Sequence, residues 1–261
     1  MNLVNLAHLA AVTDGVTHPD DTWAQYRTLI DTAVDNQPRT LQTRIGPSEI
    51  GNPCDACLIS KLAGIPEARE TGTSWLPFVG TAVHEQLEVI FAAANAGMER
   101  ARYLVETTVS VGEIAGQDIT GHADLYDTHT GEVTDWKIVG VTTLRDVKRN
   151  GIPDAYRAQV HLYGRGFTRR GLPCRGVRIA FLPRNSRSLT DAIVCYETYD
   201  EQVALDALAR ADRFAIWLAA LGADALLETA THAGGHSCRR FGYIDPDATK
   251  RASAAFSDLV A

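Results

Sequence analysis

The stretch from Asp118 to Val139 constrains this chain more than any other. Two runs of strand-forming residues, Asp118–Tyr126 and Glu132–Val139, are joined by Asp127-Thr-His-Thr-Gly131, a loop whose glycine is placed to take a positive φ. The pattern predicts a β-hairpin. Asp124 falls near the end of the first strand and Asp135 on its partner, so the hairpin brings two carboxylates toward one point of a sheet. Lys137 follows Asp135 by two positions, and strand alternation puts both side chains on one face. Paired carboxylates are what a hard divalent cation such as Mg²⁺ or Mn²⁺ requires. An ammonium beside a metal-bridged phosphate is equipped for phosphodiester hydrolysis. The same Asp-x-Lys pattern also occurs as a surface ion pair worth little.

The surrounding periodicities predict an α+β chain. A helix runs from Asp20 or Asp21 to about Asn36, with Trp23, Tyr26, Ile30 and Val34 on one face. Gly46 to Gly64 is turn-rich, with a short helix after Pro53. Ser74 caps a long helix to about Asn95, whose apolar stripe is Leu76, Val79, Val83, Leu87, Ile90 and Phe91. A strand over Tyr103–Val111 precedes the hairpin. Helices over Thr142–Arg149 and from Pro153 to about Arg170, strands over Gly176–Leu182 and Ala192–Tyr199, and a helix from Asp200 to about Leu221 follow. This order implies a mixed central sheet flanked by helices. The expected division is an N-terminal helical segment (1–45), a core (46–200) and a C-terminal helical segment with a Cys/His-containing tail (201–261), packed as one unit.

Among the 261 residues, 45% are apolar and 22% charged, as in an ordinary globular protein. The start lacks a basic region before its apolar stretch, which Asn5 and His8 interrupt, and no run reaches membrane-span length. The chain is therefore read as cytoplasmic. Five cysteines, an odd number, do not suggest a secreted disulfide framework. The net charge of −7 hides an asymmetry: residues 138–190 hold eleven basic residues against Asp146 and Asp154, a local excess of +9. Such a patch on an acidic body is either a phosphate-binding footprint or a solvated helix face with polar loops.

Five separated features, in order, resemble the RecB-like branch of the PD-(D/E)xK nucleases, which includes the Cas-four-type exonucleases and phage relatives. They are Ser48-Glu-Ile-Gly51-Asn-Pro-Cys54, Gly80-Thr-Ala-Val-His84-Glu, Gly121-His-Ala-Asp124, Thr134-Asp135-Trp-Lys137 and Gln159-Val-His-Leu-Tyr163. The resemblance implies a restriction-endonuclease-like core and a metal-dependent DNA nuclease, expected to be an exonuclease acting in recombination, repair or end processing. It further implies metal ligation by His84, Asp124, Asp135 and the Trp136 main-chain carbonyl, with Lys137 as the catalytic lysine. Gln159 and Tyr163, which share a helix face at a spacing of four, would contact DNA or brace the site. The implied partners are DNA ends or single strands, together with recombination or repair proteins.

Relatives with an iron–sulfur cluster carry one early cysteine and three late ones. This chain departs from that pattern, with Cys54 and Cys57 early and only Cys238, near His236, late. A [4Fe–4S] cluster needs four thiolates, so Cys174 or Cys195 would have to join. A Zn²⁺ site of Cys54, Cys57, His236 and Cys238 has workable ligand chemistry, and reduced structural thiols are the third reading. Two rival functions stand beside the nuclease: a non-catalytic DNA-binding or interaction module on a nuclease fold, and a thiol–metal structural protein.

Overall fold

The computed structural model describes residues 19–35, 45–66 and 75–233. Its strands are β1 (Tyr103–Ile114), β2 (Gln117–Asp127), β3 (Glu132–Val139), β4 (Gly176–Pro183) and β5 (Ile193–Thr198). They form one five-stranded sheet in that order. All neighbours are antiparallel except β3 and β4, which run parallel. The helices are α1 (Pro19–Asp35), α2 (Pro47–Ile50), α3 (Asp55–Leu62), α4 (Trp75–Ala94), α5 (Val141–Asn150), α6 (Asp154–Arg169), α7 (Glu201–Leu221) and α8 (Ala223–Thr229). The architecture is α+β, a mixed central sheet flanked by helices.

By internal contacts the chain forms two compact units. The smaller comprises Met1–Gln42 and Gly72–Trp75 and contains α1. The larger comprises Thr43–Thr71 and Leu76–Ala261 and holds the sheet and the remaining helices, apart from Trp75 at the start of α4. Among the described residues, no helix is long and apolar enough to cross a membrane.

The β2–β3 connection is the expected one, with Gly131 at φ 71°. A parallel β4 beside β3 requires a crossover, which α5 and α6 supply. The amphipathic α6 buries Val160, Leu162, Tyr163 and Phe167. Phe167 stacks on Tyr126 of β2 with centroids 4.3 Å apart. Four residues of α7 (Ala204, Leu208, Ala211 and Phe214) extend this core. Each large side chain so buried contributes about 1.5–3 kcal/mol.

Several expectations shift. β1 and β2 are longer than predicted and meet at Ala115-Gly116, both at positive φ (50° and 73°), a tight turn that the absence of Asn or Asp concealed. Pro153 stands at the N-cap of α6 rather than inside its first turn. The helices α2 and α8 are additions, too short for a periodic signal. The expected α4 stripe is only partly correct: Val79, Val83, Leu87 and Phe91 are half-buried, whereas Leu76 and Ile90 are exposed. The seated face is set by Phe91, which stacks on Trp136 of β3 (5.6 Å) and meets Tyr103 of β1 edge-on (5.3 Å). Ser74, the expected cap, lies outside the described residues.

Candidate active site

β2 and β3 pair only over Leu125–Asp127 and Glu132–Thr134. The ladder stops one residue before Asp124 and Asp135, which therefore stand opposite each other where the strands diverge. The Asp124 side chain fills the fork: its Oδ2 accepts the main-chain N–H of Trp136 at 2.7 Å. The other oxygen, Oδ1, lies 3.3 Å from His84 Nδ1 on α4.

Asp135 and Lys137 share a face, as alternation requires, with Lys137 Nζ 2.7 Å from Asp135 Oδ2. The ammonium also donates to Gln159 Oε1 at 2.9 Å and lies 4.9 Å from the centre of the Tyr156 ring. Gln159 Nε2 in turn donates to the Tyr163 hydroxyl at 3.4 Å. Gln159 and Tyr163 are only 4% and 5% exposed, which leaves them little surface to offer a substrate. Burial pushes the Asp135 carboxyl up to about 6, against the pull of Lys137 and with the push of Asp124.

The motif glycine Gly121 has a packing reason. A Cβ there would lie 2.6 Å from the Pro47 ring and 3.0 Å from the Tyr163 ring. Glycine thus lets α2 and α6 close over β2 and ties two of the five sequence features to one contact.

One residue escaped the sequence reading. Glu106 of β1 lies between the paired positions Val105↔Leu125 and Thr107↔Ala123, directly across from Asp124. Its φ is 42°, rare for a non-glycine residue. Ligand atoms of His84, Glu106 and Asp124 all lie within 4.8 Å of one another. Burial first, then the Asp124 carboxylate, raises the Glu106 carboxyl above its usual range. Counting the β1–β2 register outward from its turn misses it by one residue, because a register shift between Ser110 and Gly112 intervenes. Asp135 is outside this group, so the structure brings two of the implied side-chain ligands together and leaves the third across the fork, held by Lys137. Two carboxylates and an imidazole fit a hard or borderline divalent cation.

The basic stretch is partly neutralised in place. Arg149, Arg157, Arg165 and Arg178 pair with Asp146, Glu197, Glu201 and Glu132. Arg145 and Lys148 on α5, which leaves the end of β3 just past Lys137, are exposed.

Cys54 and Cys57 are buried together, and Cys54 Sγ accepts the Cys57 N–H at 3.4 Å as the cap of α3. Thr231, the last turn of chain before the tail, reaches them: its carbonyl oxygen accepts from Ala56 N at 3.2 Å and Cys54 Sγ at 3.7 Å. His236 and Cys238 lie outside the described residues. Burial pushes the Cys174 thiol up to about 12 and raises Cys195 as well, so both stay protonated.

Fold and site together define an α+β protein whose sheet splays to carry opposed aspartates beside a lysine. No protein-family model and no curated protein matches the chain. Among solved structures it is similar to LHK-Exo in complex with dAMP, an alkaline exonuclease from Laribacter hongkongensis, at 13% identity and TM-score 0.46 over 71% of this chain and 92% of that one. It is also similar to a phage-related exonuclease from Haemophilus somnus 129PT (12%, TM-score 0.44, 68% and 95% of the chains). A third is a putative exonuclease from Eubacterium rectale (14%, TM-score 0.43, 88% and 95%). All three are described as exonucleases.

Proposed function

We propose that the chain is a divalent-cation-dependent DNA nuclease of the RecB-like PD-(D/E)xK kind, an exonuclease acting in the cytoplasm on DNA ends or single strands during recombination, repair or end processing. The observation that carries this reading is the fork, where Asp124 and Asp135 face each other and Lys137 is held between Asp135 and Gln159. In this reading His84, Asp124, Asp135 and the Trp136 main-chain carbonyl hold the cation. Mg²⁺ or Mn²⁺ bound there supplies charge neutralisation for the scissile phosphate and a lowered pKa for the attacking water. The Trp136 N–H fixes the Asp124 carboxylate in one orientation, so no reorganisation is needed when the cation enters. Lys137 is placed to hold the attacking water or to offset charge developing on the phosphate. Gln159 and Tyr163 brace the lysine and do not touch DNA. Separately, Cys54 and Cys57 are the described half of a thiolate site for Zn²⁺, whose further expected ligands, His236 and Cys238, lie outside the described residues; the position of Thr231 beside the pair supports it. The test of the main reading is incubation of end-labelled single- and double-stranded DNA with the protein and Mg²⁺ or Mn²⁺, with and without EDTA. Cation-dependent shortening from an end supports it, and cleavage that persists in EDTA contradicts it.

A further inference from the structure

We propose that Glu106 is a cation ligand, binding Mn²⁺ together with His84 and Asp124 on the β1 side of the fork. The proposal deepens the nuclease reading and rests on it for the identity of the site. Three observations carry it. Glu106 faces Asp124 across the β1–β2 pair, and its carboxylate, the His84 imidazole and the Asp124 carboxylate converge to within 4.8 Å. The Glu106 residue is half-buried, and among the described residues no hydrogen bond or ion pair engages its carboxylate. The other two carboxylates of the site are already held, Asp124 by the Trp136 N–H and Asp135 by Lys137.

Lys137, whose ammonium stands at the fork, is committed elsewhere, to Asp135, Gln159 and Tyr156. Two facing carboxylates repel, and a bound cation reverses the sign of that interaction. The imidazole decides the class of cation. Mg²⁺ takes oxygen donors and keeps its waters, whereas a mixed nitrogen and carboxylate set is better matched by Mn²⁺. Asp124 then lies between two groups of donors, with His84 and Glu106 on one side and Asp135 with the Trp136 carbonyl on the other. Selectivity for Mn²⁺ resides on the Glu106 side.

The experiment is titration of the cation-free full chain with MnCl₂, and separately with MgCl₂, by calorimetry and by the electron paramagnetic resonance of free Mn²⁺. Wild type, Glu106→Gln, Glu106→Ala and Asp135→Asn are compared, with circular dichroism confirming that each is folded. Glu106→Gln and Glu106→Ala are expected to weaken Mn²⁺ binding tenfold or more, and Mg²⁺ binding by less. Wild-type Mn²⁺ affinity in either folded Glu106 variant overturns the proposal. So does a wild-type preference for Mg²⁺. Cation-dependent DNA cleavage by wild type alongside unchanged Mn²⁺ affinity in Glu106→Gln removes this inference and leaves the nuclease reading standing. Glu106-dependent Mn²⁺ binding without any DNA cleavage does the reverse.

Discussion

The Asp124 carboxylate accepts the main-chain N–H of Trp136 at 2.7 Å, taking the place of a strand partner where β2 and β3 part. One side chain thus satisfies a backbone donor, holds the strands apart and presents its second oxygen to His84 at 3.3 Å. The same divergence exposes the Asp135–Lys137 pair to the α6 residues that position it. The following expectations test what this geometry does.

In the proposed reading Gln159 is a positioning residue, acting through its hydrogen bond to Lys137. Gln159→Leu removes an acceptor from the ammonium and a donor from the Tyr163 hydroxyl, both in a closed site. A buried polar group left unsatisfied costs about 1–3 kcal/mol, so the melting temperature should fall by a few degrees. DNA affinity should stay as in wild type, because Gln159 is buried, while the cleavage rate should fall by about 10²-fold through misplacement of the lysine. Weakened DNA binding with an unchanged rate would instead make Gln159 a DNA contact.

His161 sets a pH window for stability. It is fully buried, its Nδ1 accepts the Asp200 N–H at 3.2 Å, and its Nε2 lies 3.3 Å from Glu197. The neutral ring satisfies both contacts, and burial holds its pKa below the ordinary value of 6.5 despite the pull of Glu197. A group depressed in the folded state contributes stability that is present above the unfolded pKa and lost as pH falls toward the folded one. Stability from this group should therefore decline below about pH 6.5, by up to about 1.4 kcal/mol per pH unit. Asp135, raised to about 6, acts in the opposite sense: its contribution is present at low pH and lost as pH rises through about 6. Denaturant unfolding of wild type against His161→Gln across pH 5–8 separates the two. A stability difference that does not shrink below pH 6.5 refutes the account of His161.

In the proposed reading, Arg145 and Lys148, exposed on α5 just past the end of β3, contact the phosphate backbone. Charge reversal at Arg145 and Lys148 together should weaken DNA binding and make its salt dependence shallower by about two contacts' worth of released counterions. A double variant with the wild-type salt slope places the phosphate backbone elsewhere.

Cys54→Ser with Cys57→Ser tests the thiolate site. If these residues share a metal with His236 and Cys238, anaerobically purified wild type carries Zn or Fe and the double variant does not. The variant should also melt at lower temperature, because the metal clips a long loop closed. Its Mg²⁺- or Mn²⁺-dependent cleavage should persist, since that site uses oxygen and nitrogen donors. Metal-free wild type that melts like the variant makes the pair ordinary thiols capping α3.

The parts of this structure legible from sequence are those that local chemistry dictates. Glycine at 131 and the alternation of Asp135 with Lys137 need only turn geometry and the pleat of a strand. The four-residue spacing of Gln159 and Tyr163 needs only the helix. The rest depends on partners far away in the chain. The seated face of α4 turns on Phe91 meeting Trp136 and Tyr103, so Leu76 and Ile90, apolar and correctly spaced, still face solvent. Glu106 was invisible because its role comes from pairing register rather than from any motif. The fork itself follows from a side chain replacing a ladder hydrogen bond, which no pattern of apolar residues encodes.

The central claim is that the opposed aspartates and the adjacent lysine perform cation-dependent cleavage. The most direct measurement is the single-turnover rate on end-labelled DNA in Mn²⁺ for wild type, Asp124→Asn, Asp135→Asn and Lys137→Ala, each shown to be folded. The account predicts cation-dependent cleavage by wild type, abolished by EDTA, and a loss of about 10²–10³-fold or more in every variant. Wild-type rates in any folded member of the three, or cleavage indifferent to EDTA, would contradict it.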